Sequence, residues 1–260
     1  MATESRDIDI AAAATLFGDP ARAAMLTALA DGRALPAGEL ARIASVSPST
    51  ATAHLRRLID GGLIEVSAQG RHKYHRLASA EVSTVLEALA QIAAQRPVIS
   101  LRQHRSAIAL AEARTCYDHL AGRRGVELRD RLLAAGALRT DDDRDYQLTC
   151  GGERLIAKLG IDLGQLRSSR RIFARSCLDW TQRKPHLAGA LPAALTSAFL
   201  SSGWIERATG RGLRVSARYD AELATWLYRD KRCNLDASRT SAESIGACVP
   251  SVPKNPLPGA

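Results

Sequence analysis

Ser47-Pro48-Ser49-Thr50-Ala51-Thr52-Ala53-His54-Leu55-Arg56-Arg57-Leu58-Ile59-Asp60-Gly61-Gly62 is the stretch that decides the fold of the first part of the chain. Ser47 suits an N-cap, and Pro48 suits the first helical position, where its missing N–H has no intrahelical partner to lose. Ala51, Leu55, Leu58 and Ile59 then recur at i, i+4, i+7 and i+8, which is one apolar helix face. Gly61-Gly62 stops the helix. The polar side carries Ser49, Thr50, Thr52, His54 and Arg56.

Upstream, Ile8–Phe17 reads as a short apolar helix. Asp19 and Pro20 open a second helix with Met25, Leu26 and Leu29 inside, ending at Asp31-Gly32. Leu40, Ile43 and Ala44 mark a two-turn helix that ends near Ser45-Val46. Downstream, Leu63–Ser67 and His72–Leu77 alternate as strands around Ala68-Gln69-Gly70-Arg71, a hairpin with a basic tip. Val82, Val85, Leu86, Leu89, Ile92 and Ala93 stripe a further long helix, Ala80–Gln95.

Two helices on a short turn, followed by a basic hairpin, make a winged helix-turn-helix. The second helix projects its polar N-terminal end into the major groove. Ser47, Ser49, Thr50, Thr52, His54 and Arg56 are the expected contacts to bases and phosphates, and Arg71, His72 and Lys73 of the hairpin suit phosphates or the minor groove. Taken alone, the hydroxyls are caps and Arg56-Arg57 a solvated face. The hairpin at the right distance favours the DNA reading.

These motifs resemble the ArsR/SmtB repressors. Leu16-Phe17-Gly18-Asp19-Pro20-Ala21-Arg22, Glu39-Leu40-Ala41, Ser47–Leu55 and Gly70-Arg71-His72-Lys73-Tyr74-His75-Arg76-Leu77 follow in that family's order. The resemblance covers residues 8–95 and implies a homodimeric regulator, a repressor released from a palindromic operator by an inducer. It also implies a dimer that pairs the first helix with the partner's Ala80–Gln95 helix. There are departures. The Cys pair that many metal-sensing members carry before the recognition helix is replaced by Leu35-Pro36-Ala37-Gly38-Glu39, and the first 97 residues hold no cysteine. Ala80–Gln95 offers Glu81 and Glu87 but no histidine, so the family's zinc site on that helix is missing too.

Arg96-Pro97 suggests a boundary. Beyond it, His119-Leu120-Ala121-Gly122 recurs as His186-Leu187-Ala188-Gly189, 67 residues on. Leu128, Leu132, Gly136 and Leu138 match Leu195, Phe199, Gly203 and Ile205 at the same offset. A strand-like pair follows each glycine, in Ala137–Thr149 and Trp204–Ser216, so each copy is a helix, a glycine cap and a hairpin. Cys116-Tyr117-Asp118-His119 echoes Cys177-Leu178-Asp179, with His186 further on. Read on a helix, Cys116 and His119 at i, i+3 share a face. Cys116, Asp118, His119, Cys177, Asp179 and His186 are therefore the candidate ligands for a soft metal or metalloid ion. Buried packing thiols, a redox-sensing pair, or an apolar pocket lined by the nearby Trp and Tyr remain alternatives.

The expected organisation is residues 1–95 as a winged-helix DNA-binding and dimerisation domain and 96–232 as a duplicated sensing domain. Residues 233–260, rich in Ser and Pro, are the expected disordered tail. The class is mostly α (α+β), the second domain mainly helical and built from two winged-helix-like halves. A composition of 46% hydrophobic and 4% aromatic residues suits a helical globular chain. Five cysteines among 260 residues exclude a disulfide scaffold and point, with no signal-like start and no apolar run of membrane length, to the cytoplasm. The first 97 residues hold ten basic and ten acidic side chains, so the net charge of +9 lies beyond them. No phosphate-binding Gly-rich loop, nucleophile elbow or zinc-protease helix is present, which argues against an enzyme. A winged-helix module that binds protein or shapes DNA without any inducer is the competing function.

Overall fold

The computed structural model describes residues 8–70, 72–94, 99–141 and 145–228. The expected boundary at Arg96-Pro97 and the tail 233–260 lie outside them.

Helices α1 (Ile10–Gly18) and α2 (Pro20–Leu29) meet at Asp19, whose carboxylate accepts the N–H of Arg22 at 2.9 Å. Arg22 in turn donates to the Thr15 and Leu16 carbonyls, satisfying the end of α1. Strand β1 (Leu35–Pro36) leads into α3 (Ala37–Ala44), then α4 (Pro48–Asp60), capped by Ser47. Strands β2 (Ile64–Gln69) and β3 (His72–Leu77) form the wing, and β1 adds to its β3 edge. The first wing strand runs two residues further than the sequence suggests, to Gln69, and Gly70 follows it at φ +60°. Met25, Leu26, Leu29, Leu40, Leu55 and Leu58 join Ile64 and Leu77 in one core. Helix α5 (Ala80–Ile92) leaves the wing and turns its Val82, Ser83 and Glu87 inward.

Helix α6 (Leu101–Glu112), with no buried residue, leads into the duplicated region. The first copy runs β4 (Arg114–Cys116), β5 (His119–Ala121), α7 (Arg123–Ala134), β6 (Leu138–Asp141), β7 (Asp145–Leu148) and α8 (Cys150–Ala157). The short α9 (Leu163–Ser168) connects them. The second copy runs β8 (Arg175–Leu178), β9 (Pro185–Ala188), α10 (Ala190–Ser201), β10 (Ile205–Arg207), β11 (Leu213–Val215) and α11 (Tyr219–Tyr228). Each half thus has the expected helix and hairpin, and a second hairpin stands before the helix.

The repeat reaches further upstream than His-Leu-Ala-Gly. Ala113-Arg114-Thr115-Cys116-Tyr117-Asp118 matches Ala174-Arg175-Ser176-Cys177-Leu178-Asp179 at an offset of 61 residues. Each copy's second hairpin pairs with the other copy's first. Asp145 lies opposite Arg175, and Gly212 opposite Arg114. Tyr146 N–H donates to Ala174, and Leu213 N–H to Ala113, both at 3.0 Å. These exchanged contacts define a pseudo-twofold axis. Around it a shared core of Leu128, Leu132, Leu191, Leu195 and Phe199 closes, with Trp204, Tyr219 and Trp226 on the second copy's side.

Candidate functional site

On α4, Ser47 Oγ accepts the Thr50 N–H, and Ser49, Thr50, Thr52 and Arg56 are exposed. Thr52 returns its hydroxyl to the Pro48 carbonyl, and Arg56 lies 3.8 Å from Asp60. His54 departs from the expectation of a base-reading side chain. Its Nδ1 faces Asp19 at 3.7 Å and Arg22 at 3.5 Å, in the seam between α2 and α4. Ala53 and Arg57 share the open face; alanine carries no chemical signal in the sequence, and Arg57 reads there as part of a solvated Arg56-Arg57 pair. On the wing, His72 and Lys73 are exposed, while Arg71 lies outside the described residues. His75, on the inner side, is buried, and burial pulls its pKa below 6.5.

In the duplicated region the expected helix around Cys116 is a hairpin. Tyr117 takes φ +57° in a two-residue turn, so Cys116 and His119 face each other across β4 and β5. Cys177 and His186 are the same cross-strand pair on β8 and β9. The pseudo-twofold brings the pairs together. All four side chains are buried, and their donor atoms lie within 4.8 Å of one another. The imidazole rings stack at 5.2 Å between centroids. No ring nitrogen of His119 or His186 has a hydrogen-bond partner.

Asp118 and Asp179 stand outside this group, a correction to the six-ligand expectation. Asp118 turns to Arg171 at 2.6 Å and lies 3.5 Å from His119 Nδ1. Asp179 is fully buried against Arg114 at 3.0 Å and accepts the N–H groups of Gly122, Thr181 and Gln182. Burial pushes both carboxyls up. His119 and Arg171 nevertheless hold Asp118 below its usual range, and Arg114 with the Thr181 hydroxyl and N–H donors brings Asp179 down to about 2. A thiol hydrogen bond with Cys177, together with burial, pushes Cys116 up to about 11, while the same bond brings Cys177 down against the opposing effect of burial. Burial opposes protonation of His119, yet Cys116 and Asp118 raise it to about 9. Of the nearby aromatic residues, Tyr117 lines the cavity beside Cys116 and His119. Trp180 lies under the Arg114 guanidinium, and Tyr117 packs on the N-terminal core.

Helix α5 closes over the cluster. Ser83 Oγ is 3.9 Å from Cys116 Sγ, and Glu87 binds Arg114 at 2.9 Å and Arg211 at 3.0 Å. Arg175, the counterpart of Arg114, donates to Thr84. A cavity of about 330 Å³ opens beside Cys116 and His119, between α5 and Arg171 and Arg175. Tyr117 N–H also donates to Ala30 at the end of α2, so the two regions meet along a continuous polar seam.

A helix-turn-helix domain family (HTH_20) matches residues 17–67, from the end of α1 into the wing. A Bacillus subtilis (strain 168) protein, the HTH-type transcriptional regulator YdfF, itself described as uncharacterized, is 44% identical over 199 residues, 76% of this chain and 88% of its own. The chain belongs to the helix-turn-helix transcriptional regulators. The motifs that resemble the ArsR/SmtB repressors sit in order on α1 to β3, within a DNA-binding transcriptional regulator of the winged-helix type. Solved structures overlay about a third of the regulator. The winged DNA-binding domain of Mb0332 from Mycobacterium bovis, described as homodimeric and as a possible ArsR-family regulator, is 29% identical. It covers 32% of this chain and 75% of its own, at a TM-score of 0.29. The cadmium sensor CMTR from Mycobacterium tuberculosis is 28% identical, over 36% of the regulator and 100% of its own chain, at 0.29. No helix among the described residues is long and apolar enough to cross a membrane.

Proposed function

We propose that this regulator is a cytoplasmic homodimeric repressor that reads a palindromic operator and leaves it when its duplicated domain takes up an inducer, a soft metal or metalloid ion. Helix α5 carries this reading. It belongs to the DNA-binding half, yet its Ser83 and Glu87 touch the thiol–imidazole cluster and its buried ion pairs. Anything that moves the two hairpins is felt there. The dimer reading rests on apolar side chains that face solvent in one chain: Val85, Leu89 and Ile92 of α5, and Leu101 and Ile108 of α6. Ser47, Ser49, Thr50, Thr52 and Arg56 of α4 serve as base and phosphate contacts, with Lys73 and His72 of the wing on the backbone.

Operator binding tests this directly. The dimer is expected to protect an imperfect palindrome with half-sites about one helical turn apart. Thr50→Ala should cost roughly 1–3 kcal/mol at the operator and relax its specificity, whereas Lys73→Ala should weaken all DNA alike and flatten the salt dependence. A tenfold release by zinc or cadmium requires about 1.4 kcal/mol of preference for the DNA-free form. Equal affinity for random and promoter DNA at every salt concentration would leave an architectural or protein-binding module instead. A monomer at micromolar concentration would remove the dimer.

A further inference from the structure

We infer that Cys116, His119, Cys177 and His186 form one closed, tetrahedral centre for a zinc-like cation, in which Asp118 and Asp179 orient the two imidazoles. This rests on reading the duplicated domain as the sensor, and it names the ion class and the outer shell of that same site.

Distance is the first argument. A four-coordinate ion with bonds of about 2.0–2.3 Å spaces its donors by roughly 3.3–3.8 Å. The four donors already lie within 4.8 Å of one another, on paired strands, so side-chain rotation alone closes the gap. Both pairs sit at cross-strand register positions and are related by the pseudo-twofold, so each copy contributes one sulfur and one nitrogen.

The second argument is unpaired polarity. His119 and His186 are 5% and 0% exposed, yet all four ring nitrogens lack a hydrogen-bond partner. An unsatisfied buried polar atom is costly and rare, so a set of four needs an explanation. The carboxylates supply half of it. Asp118 lies 3.5 Å from His119 Nδ1, and Asp179 lies 4.0 Å from His186 Nδ1. Neither distance is a formed hydrogen bond, but when the rings turn Nε2 to the ion these carboxylates are the groups placed to take the Nδ1 proton, the usual outer shell of a histidine ligand. Asp118 and Asp179 recur in the two copies at the same step after cysteine, so the sequence repeat is a repeat of ligand plus orienting group.

Donor chemistry selects the ion. Two sulfurs and two nitrogens in a tetrahedral array suit zinc or cadmium. Hard cations that require oxygen donors are excluded. A metalloid that takes three thiolates finds two, because the remaining described cysteine, Cys150, is exposed at the start of α8.

The test uses the full-length reduced protein, stripped of metal and titrated with zinc, cadmium and cobalt(II). One ion per chain is expected, with thiolate-to-metal charge transfer for cadmium and the intense visible bands of tetrahedral cobalt. Zinc should protect Cys116 and Cys177 from alkylation, mapped by mass spectrometry, and leave Cys150 reactive. Protection needs no variant, so it stands even where a substitution unfolds the chain. The Cys116→Ser, Cys177→Ser double variant should lose the charge-transfer band. Asp118→Asn and Asp179→Asn should keep the stoichiometry and weaken binding about 10–100-fold. Octahedral cobalt, unprotected thiols or undiminished binding by the double variant overturns the centre. Operator affinity is measured separately: an ion bound at these thiols with no change at the operator leaves the centre intact and defeats the sensing role.

Discussion

The two copies of the duplicated region share a motif but not its surroundings. In the first, Asp118 and His119 are adjacent, and a two-residue turn holds the carboxylate near the surface beside Arg171. In the second, Trp180–Pro185 is inserted between Asp179 and His186. That loop folds back, gives Asp179 the N–H groups of Thr181 and Gln182, and lays Trp180 under Arg114. The consequence falls on the equivalent arginines. Arg114 is fully buried between Asp179 and Glu87, whereas Arg175 makes one bond to Thr84. Duplication supplied matched donors, and a six-residue insertion gave one copy the fully buried arginine that pairs with Glu87 of α5.

The comparison breaks most directly at the arginines. Arg114→Met strands two buried carboxylates and should cost about 3–5 kcal/mol, while Arg175→Met should cost under about 1 kcal/mol. Denaturant unfolding of the two variants measures the difference, and equal losses would show that the copies carry the same load. The glycines sharpen the opposite point. Gly122 and Gly189 both have positive φ, and a Cβ on either would lie within 3 Å of a carbonyl oxygen, Ala111 in one case and Ile172 in the other. Alanine at each should cost roughly 1–3 kcal/mol, similar in both copies. A large disparity would mean that the backbones are not equivalent. The smallest effect is in pH and contrasts the two regions. His75 is kept neutral by burial, so its contribution is present above pH 6.5 and fades as pH falls below it. Asp179, lowered from 3.8 to about 2, contributes above about pH 4 and loses its share between there and about pH 2. Histidine NMR titration and unfolding at stepped pH separate the two windows, and His75→Gln should remove only the upper one.

Much of the DNA-binding half is legible in the chain because its signals are local. Caps at Asp19 and Ser47, a proline after each, and the 3.6-residue spacing of Leu55 and Leu58 are each set within one or two turns. His54 shows the limit of local reading. It lies on the polar side by spacing, yet Asp19 and Arg22, more than thirty positions away, take it into a seam. The hairpin at Cys116 shows another. Three residues of strand and a turn at Tyr117 are too short to register against a helical neighbourhood, so the spacing of Cys116 and His119 read as one helical turn.

By itself the sequence determined the helices and hairpin of the winged helix, though not the short strand β1, together with the duplication and the six residues worth watching in it. All of these are periodicities or repeats, and a repeat survives in one dimension. Only the tertiary structure decided that four of the six converge and two stand behind them. Convergence depends on how the copies exchange strands across the pseudo-twofold, through Asp145 with Arg175 and Gly212 with Arg114. It also depends on α5 closing over Cys116 through Ser83 and Glu87. Those pairings join residues tens of positions apart, and burial of the whole interface selects them, a property that no stretch of the chain holds alone.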